Sequence, residues 1–228
     1  MNGTALNWLE LCRTVGPCLR PGGTALTDRA LEVCNLSADS LIADVGCGAG
    51  GTLYHLERTG FRRLVGLDPS EPLLGGTAPR LETARLIRGE AATIPLRSAT
   101  VDLLLCECVL SVLPDRSAPL REFARVVKDG GYLVVSDVFS TAGDNGAEQA
   151  GGLLTREKLL DAVAGNGFTL LRWETHDRLL KEFAVRMILA GECLPDAWKG
   201  GTERKGEAAR GGLGYFLMVA RKAEDPLP

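Results

Sequence analysis

Short runs of apolar residues alternate along this chain with stretches whose apolar positions recur at helical spacing, and the two patterns predict strands and helices in turn. Leu41 to Val45 is apolar except for Asp44 and runs into Gly46-Cys47-Gly48-Ala49-Gly50-Gly51, a strand followed by a tight turn. Thr52 to Thr59 starts a helix that Gly60 closes, and Leu64-Val65-Gly66-Leu67, ending in Asp68, is a second strand. A short helix is expected at Leu81 to Arg85 and a third strand at Ala84 to Arg88, while Val101 to Val109 reads as a fully buried fourth strand. Ala118 to Val127 puts Leu120, Phe123, Ala124 and Val127 on one helical face, and Lys128-Asp129-Gly130-Gly131 turns into a fifth strand, Tyr132 to Ser136.

Upstream, residues 1 to 20 predict a helix that Arg20-Pro21-Gly22-Gly23 ends, and Thr24 to Leu36 predicts another. Downstream, Thr141 to Gly152 is small and polar, as in a loop or lid, and Thr155 caps a helix running to Val163. Phe168 to Glu174 is a sixth strand, Asp177 to Leu194 is helical, Lys199 to Gly212 is a solvated loop, and Gly214 to Arg221 is a last strand. The whole pattern is that of an α/β fold with an open parallel sheet covered by helices on both faces.

Bulk properties narrow the partners. The 228 residues are 45% hydrophobic, enough for a real core, and 26 basic against 29 acidic residues give a net charge of -3, which argues against nucleic acid as principal partner. No apolar run approaches the ~20 residues that span a bilayer, and the N-terminus lacks an export signal, so a cytoplasmic protein with no membrane association is expected. Seven scattered cysteines without a C-x-x-C pair predict reduced thiols and no metal site.

The glycine turn fits two templates: positions 46, 48 and 51 match the dinucleotide G-x-G-x-x-G, and 46, 48 and 50 match the G-x-G-x-G of adenosylmethionine-binding enzymes. Asp44 separates them. A carboxylate there repels the pyrophosphate that a dinucleotide lays over such a turn, and attracts the ammonium group of adenosylmethionine. Asp68, at the end of the second strand, can accept two hydrogen bonds from a ribose diol with either ligand.

These segments, taken with Gly66-Leu67-Asp68-Pro69-Ser70, Gly89 to Leu96, Thr100-Val101-Asp102 and Arg125 to Gly131, resemble class I adenosylmethionine-dependent methyltransferases in order and spacing across residues 38 to 140. Cys108 to Asp115 and Ser136-Asp137-Val138 are most similar to the small-molecule branch with quinone-ring and arsenite methyltransferases. The resemblance implies a Rossmann-like, doubly wound, mostly parallel seven-stranded sheet with an antiparallel last strand. It also implies one domain over 1–228: an N-terminal helical cap at 1–37, a cofactor-binding core at 38–140, and a C-terminal part at 141–228 with an insertion at 177–212. S-adenosyl-L-methionine would be the cofactor. Asp44, Gly46, Cys47, Gly48 and Gly50 would cradle its methionine end, Asp68 and Pro69 its ribose, Glu90 and Ala91 its adenine, and Glu107 would lie on the floor of the site. The family more often has Asp where this chain has Glu90.

Methyl transfer to a small-molecule acceptor rests mainly on alignment, so a base is optional; Glu107, Asp137 and His176 are the candidates. Cys108 aligns with a metalloid-binding thiol of the arsenite branch and Cys193 lies near a second, although core packing is the plain reading of both. The stripe Leu179, Leu180, Phe183, Met187 and Leu194, with the segment Trp8 to Gly23, is where acceptor choice is expected to reside. Alternatives to the methyltransferase are an NAD(P)-dependent oxidoreductase and an accessory protein that binds the cofactor without turnover.

Overall fold

The computed structural model describes residues 16, 18–77, 81–141, 153–191 and 212–224. Their elements follow in the order α1 (Ala25–Leu31), β1 (Leu41–Val45), α2 (Gly51–Arg58), β2 (Arg63–Asp68), α3 (Glu71–Thr77), β3 (Arg85–Arg88), β4 (Val101–Glu107), a 3₁₀ turn (Leu110–Val112), α4 (Ser117–Val126), β5 (Val127–Ser140), α5 (Arg156–Gly165), β6 (Phe168–Thr175), α6 (Asp177–Leu189) and β7 (Leu213–Lys222). The expected helix within residues 1 to 20, most of the loop at 141 to 152, and the segment holding Cys193 and Trp198 lie outside the described residues.

The strands form one seven-stranded sheet in the order β3-β2-β1-β4-β5-β7-β6. Pairs from β3 to β5 are parallel, and β7 runs antiparallel to both β5 and β6, as expected. Sheet order reverses between β1 and β4, so the chain leaves these neighbouring strands in opposite directions and opens a crevice at their carboxyl ends. Alternation along the strands feeds two cores. Ile42, Leu103, Leu105, Val134, Tyr215 and Leu217 pack with Leu26 and Ala30 of α1, Leu53 and Leu56 of α2, and Phe183 and Met187 of α6. On the opposite face Ala43, Leu104, Cys106, Val135 and Phe216 meet Leu120 and Phe123 of α4 and Leu159 and Val163 of α5.

Three local expectations are corrected. No helix forms at Leu81 to Arg85: the Glu57 carboxylate accepts the Glu82, Thr83 and Ala84 amides at 3.1, 2.7 and 2.7 Å, which holds this stretch in a bend that leads into β3. A helix instead occupies Glu71–Thr77, where Pro72 suits a first turn and Gly75-Gly76 hides the pattern. Lys128 to Gly131 does not separate α4 from a fifth strand but is an irregularity inside β5, where pairing with β4 shifts between Val101 and Leu103. At that irregularity Asp102 is ion-paired with Lys128 and accepts the Leu41 amide at 2.7 Å, tying β4, β5 and the start of β1 together.

Phe123 anchors α4 and is fully buried. Phe123→Ala is expected to cost about 3–5 kcal/mol of folding stability, read from the midpoint shift in urea unfolding at unchanged slope.

Candidate functional site

The crevice is a cavity of about 570 Å³ lined by the glycine turn, the ends of β2 and β4, residues 89–92, the segment Cys18 to Arg20, residues 112–115 and α6. Its size is that of a small-ligand site. The glycine turn is shaped by backbone that other residues tolerate poorly: Gly46, Gly48 and Gly50 all have positive φ, and a Cβ on Gly46 would come within 2.2 Å of Val109 Cγ2. A Cβ on Gly48 would meet nothing within 4 Å, so the missing side chain there leaves open space.

The turn's amides are largely engaged within the protein. Gly46 and Cys47 donate to the Leu67 carbonyl at 2.7 and 3.1 Å, and Gly50 donates to the Cys47 carbonyl at 2.9 Å. Gly48 donates to Asp68 Oδ2 at 2.9 Å, while Ser70 donates to Oδ1 at 2.8 Å, so Asp68 is held in place at the end of β2. Neither bond exhausts the lone pairs of a carboxylate.

Asp44 stands on β1, buried, with its Oδ2 lacking any hydrogen-bond partner. Burial pushes its carboxyl up to about 8, and the nearby Glu107 charge raises it further than Arg20 lowers it. At neutral pH Asp44 is therefore largely protonated unless a cation sits beside it.

Glu107, at the end of β4, is the centre of a buried network that the sequence did not reveal. It is ion-paired with Arg20 Nη2 at 3.0 Å and accepts the hydroxyls of Thr27 at 3.0 Å and Thr52 at 3.1 Å. Arg20 in turn donates to the oxygens of Thr52 and Thr27, both at 2.6 Å. Burial disfavours the Arg20 charge, but Glu107 leads the influences that raise its pKa, and the net shift is upward. One network thus joins the N-terminal segment, α1, α2 and β4. Nothing in a lone Arg20 before Pro21-Gly22-Gly23 identifies it, because its partners are remote in sequence.

The other expected residues divide. Asp44, Gly46, Cys47, Gly48, Asp68, Pro69, Glu90, Ala91 and Glu107 all line the cavity. Gly50 does not; it is the left-handed residue that starts α2. Asp137 is also outside it, on β5, with Oδ2 accepting the Ser111 amide at 2.9 Å and Oδ1 accepting the Val138 amide at 2.7 Å. Burial pushes Asp137 up to about 6, and its place beside Ser111 and Arg116 is a separate small cleft. His176 precedes α6 and pairs with Glu174 at 3.2 Å, likewise away from the cavity lining. Of the three candidate bases, only Glu107 reaches the cavity, and its carboxylate is held by the Arg20 network.

Cys18 and Cys108 both line the cavity, and burial pushes both thiols up, against the thiolate form a metalloid ligand needs. Cys108 also has positive φ, and its Sγ lies 3.1 Å from the Tyr215 hydroxyl. Among the described residues no group of three or more His, Cys, Asp or Glu side chains is placed to hold a metal ion.

With this geometry in hand, comparison with known proteins is informative. A family model described as a methyltransferase domain matches residues 43–135. The ubiquinone/menaquinone biosynthesis C-methyltransferase UbiE of Campylobacter jejuni is 30% identical over 106 residues, covering 44% of this chain and 45% of that protein. The demethylmenaquinone methyltransferase of Bacillus mycoides is 34% identical over 107 residues, covering 46% and 43% respectively. The chain thus spans about half the length of the curated relatives it matches. Among solved structures, the [4+2]-cyclase SpnF superposes with a TM-score of 0.72 at 21% identity, over 89% of this chain and 82% of that one. Geranyl diphosphate C-methyltransferase from Streptomyces coelicolor gives 0.71 at 16% identity, over 88% and 79%. At these identities the structures speak for the fold.

Removing one partner of the buried pair leaves the other charge uncompensated. Arg20→Ala is expected to destabilise the protein by about 3–5 kcal/mol. Adding Glu107→Gln should restore part of the loss, so a double-mutant cycle in urea is expected to be strongly non-additive.

Proposed function

We propose that this chain belongs to the class I adenosylmethionine-dependent methyltransferase superfamily and transfers a methyl group from S-adenosyl-L-methionine to a small-molecule acceptor, a reading supported by the methyltransferase-domain match over residues 43–135 and the similarity to UbiE. The observation that carries the reading is Asp44: a buried carboxyl with one oxygen lacking a partner, beside a glycine turn whose amides are mostly engaged. A ligand with an ammonium group supplies the missing partner. A dinucleotide would instead bring its diphosphate among Asp44, Asp68 and Glu107, where the one basic side chain lining the described cavity, Arg20, is already paired. The oxidoreductase reading is disfavoured on those grounds.

In this reading Asp44 takes the ammonium group, the open space over Gly48 admits the methionine end, and Asp68 accepts the ribose hydroxyls with the lone pairs left by Gly48 and Ser70. Glu90 and Ala91 lie where the adenine edge would rest. When bound, adenosylmethionine supplies an electrophilic methyl group on a sulfonium. The protein's contribution is to hold donor and acceptor in line and to exclude water. Glu107 serves as the support for the Arg20 latch rather than as a base, so an acceptor with an already nucleophilic atom suits the site.

The fold alone does not dictate methyl transfer, since SpnF shares it and is titled a cyclase. Titration calorimetry tests the reading directly: adenosylhomocysteine is expected to bind and NADH is not. Tight NADH binding without adenosylhomocysteine binding would overturn it, and binding without methylated product in a metabolite extract supplied with labelled donor would favour the accessory-protein alternative.

A second expectation concerns protons. Asp44 holds its proton up to about pH 8, and an ammonium beside it favours the carboxylate. Adenosylhomocysteine binding at pH 7 should therefore release close to one proton, measured as the dependence of binding enthalpy on buffer ionisation enthalpy, and affinity should rise with pH until about 8. Asp44→Asn is expected to abolish the release. Asp68→Ala should weaken binding by about 1.5–3 kcal/mol, the loss of charged hydrogen bonds.

A further inference from the structure

Beyond the donor-binding residues, the described cavity is walled by Leu19 ahead of α1, by Val112, Leu113 and Pro114 after the 3₁₀ turn, and by Phe183 and Met187 of α6. These come from segments other than the glycine turn, β2 and the loop after β3, and so border a part of the cavity that the donor-binding residues do not. All are apolar.

The charge around them has one sign. Asp44, Asp68, Glu90, Glu107 and Asp115 line the cavity, against Arg20 as the one Lys or Arg among the described lining residues. Arg20 is spent on Glu107, Thr27 and Thr52, and its remaining Nε is sealed from solvent. Arg186 stacks on Phe183, its guanidinium carbon 5.3 Å from the ring centroid, but it is exposed and outside the lining. Arg116, after the apolar turn, points its donors at the Leu110 and Ser111 carbonyls. Among the described residues no unpaired cation lines this space, so against them an anionic acceptor would meet carboxylates and lose water from its charge without compensation.

We infer that the acceptor is an uncharged, predominantly apolar small molecule, seated between the Cys18–Arg20 segment, residues 112–114 and α6. This rests on the methyl-transfer reading for calling the molecule an acceptor, but its chemistry is read from the wall itself. A phosphorylated or carboxylated version of the same molecule is disfavoured by the same wall.

Two dyes that differ by a single sulfonate, neutral N-phenyl-1-naphthylamine and anionic 1-anilinonaphthalene-8-sulfonate, test it by fluorescence titration with adenosylhomocysteine at saturation. The neutral dye is expected to bind at least about tenfold more tightly. Val112→Lys, at a partly exposed wall position, should shift the ratio toward the anionic dye by about tenfold or more. Equal or tighter binding of the anionic dye to the unaltered protein, absence of neutral-dye binding, or a ratio that Val112→Lys leaves unmoved would each overturn the inference. Adenosylhomocysteine affinity, measured in parallel on the same samples, reports separately on the methyl-transfer reading.

Discussion

The buried ion pair of Arg20 and Glu107 is the constraint on which the site depends. A charge taken out of water is costly, and such a pair is tolerated only when its remaining hydrogen-bonding capacity is met. Here Thr27 and Thr52 meet much of it, and each sits on a different helix. The four side chains therefore cannot all be satisfied unless the N-terminal segment, α1, α2 and the end of β4 are in register. The same arrangement that closes one flank of the cavity also uses up the cation that could have neutralised it.

That has a consequence for the neighbouring carboxyls. With Arg20 committed to Glu107, Asp44 gains little relief from its burial, and its proton is held to about pH 8. Asp68 is stabilised differently, by the Gly48 and Ser70 amides. Two acids at adjacent strand ends thus stand in different states, Asp44 holding a proton and lacking a partner at one oxygen, Asp68 fixed by two backbone amides, and the proposed ligand uses that difference, its ammonium at Asp44 and its ribose hydroxyls at Asp68. The glycine turn contributes shape more than charge, because the amides that in a dinucleotide site would meet a phosphate are mostly bonded to Leu67, Cys47 and Asp68.

Much of this was legible in the sequence, for reasons that differ by element. Buried parallel strands such as Val101–Glu107 announce themselves as apolar runs, and the order of motifs fixed which strand ends would meet. Asp44 stood out because a charge in an apolar strand needs an explanation. What could not be read were features decided by distant partners. The helix at Glu71–Thr77 is masked by its own glycines, and the bend before β3 depends on Glu57 from α2. Asp137 looked like a base at a strand end, yet its oxygens are taken by the Ser111 and Val138 amides on the other side of the sheet. Arg20 had no periodicity or motif to mark it at all.

The division of labour inside the cavity follows from where its walls originate. Donor-facing positions come from strand ends and the turn between β1 and α2, whose backbone is fixed by the sheet and by hydrogen bonds that tolerate little substitution. The apolar wall comes from α6, the 3₁₀ turn and the approach to α1, side-chain surfaces that need only be greasy and correctly spaced. Phe183 and Met187 are almost wholly buried while lining the cavity, so they belong to the core as much as to the site. Changing the shape of the cavity there means repacking α6 against β7, whereas the exposed Val112 can vary without disturbing a core. For the apolar acceptor inferred above, shape would then be limited at two tiers, coarsely by the packing of α6 and more finely by the short turn after β4.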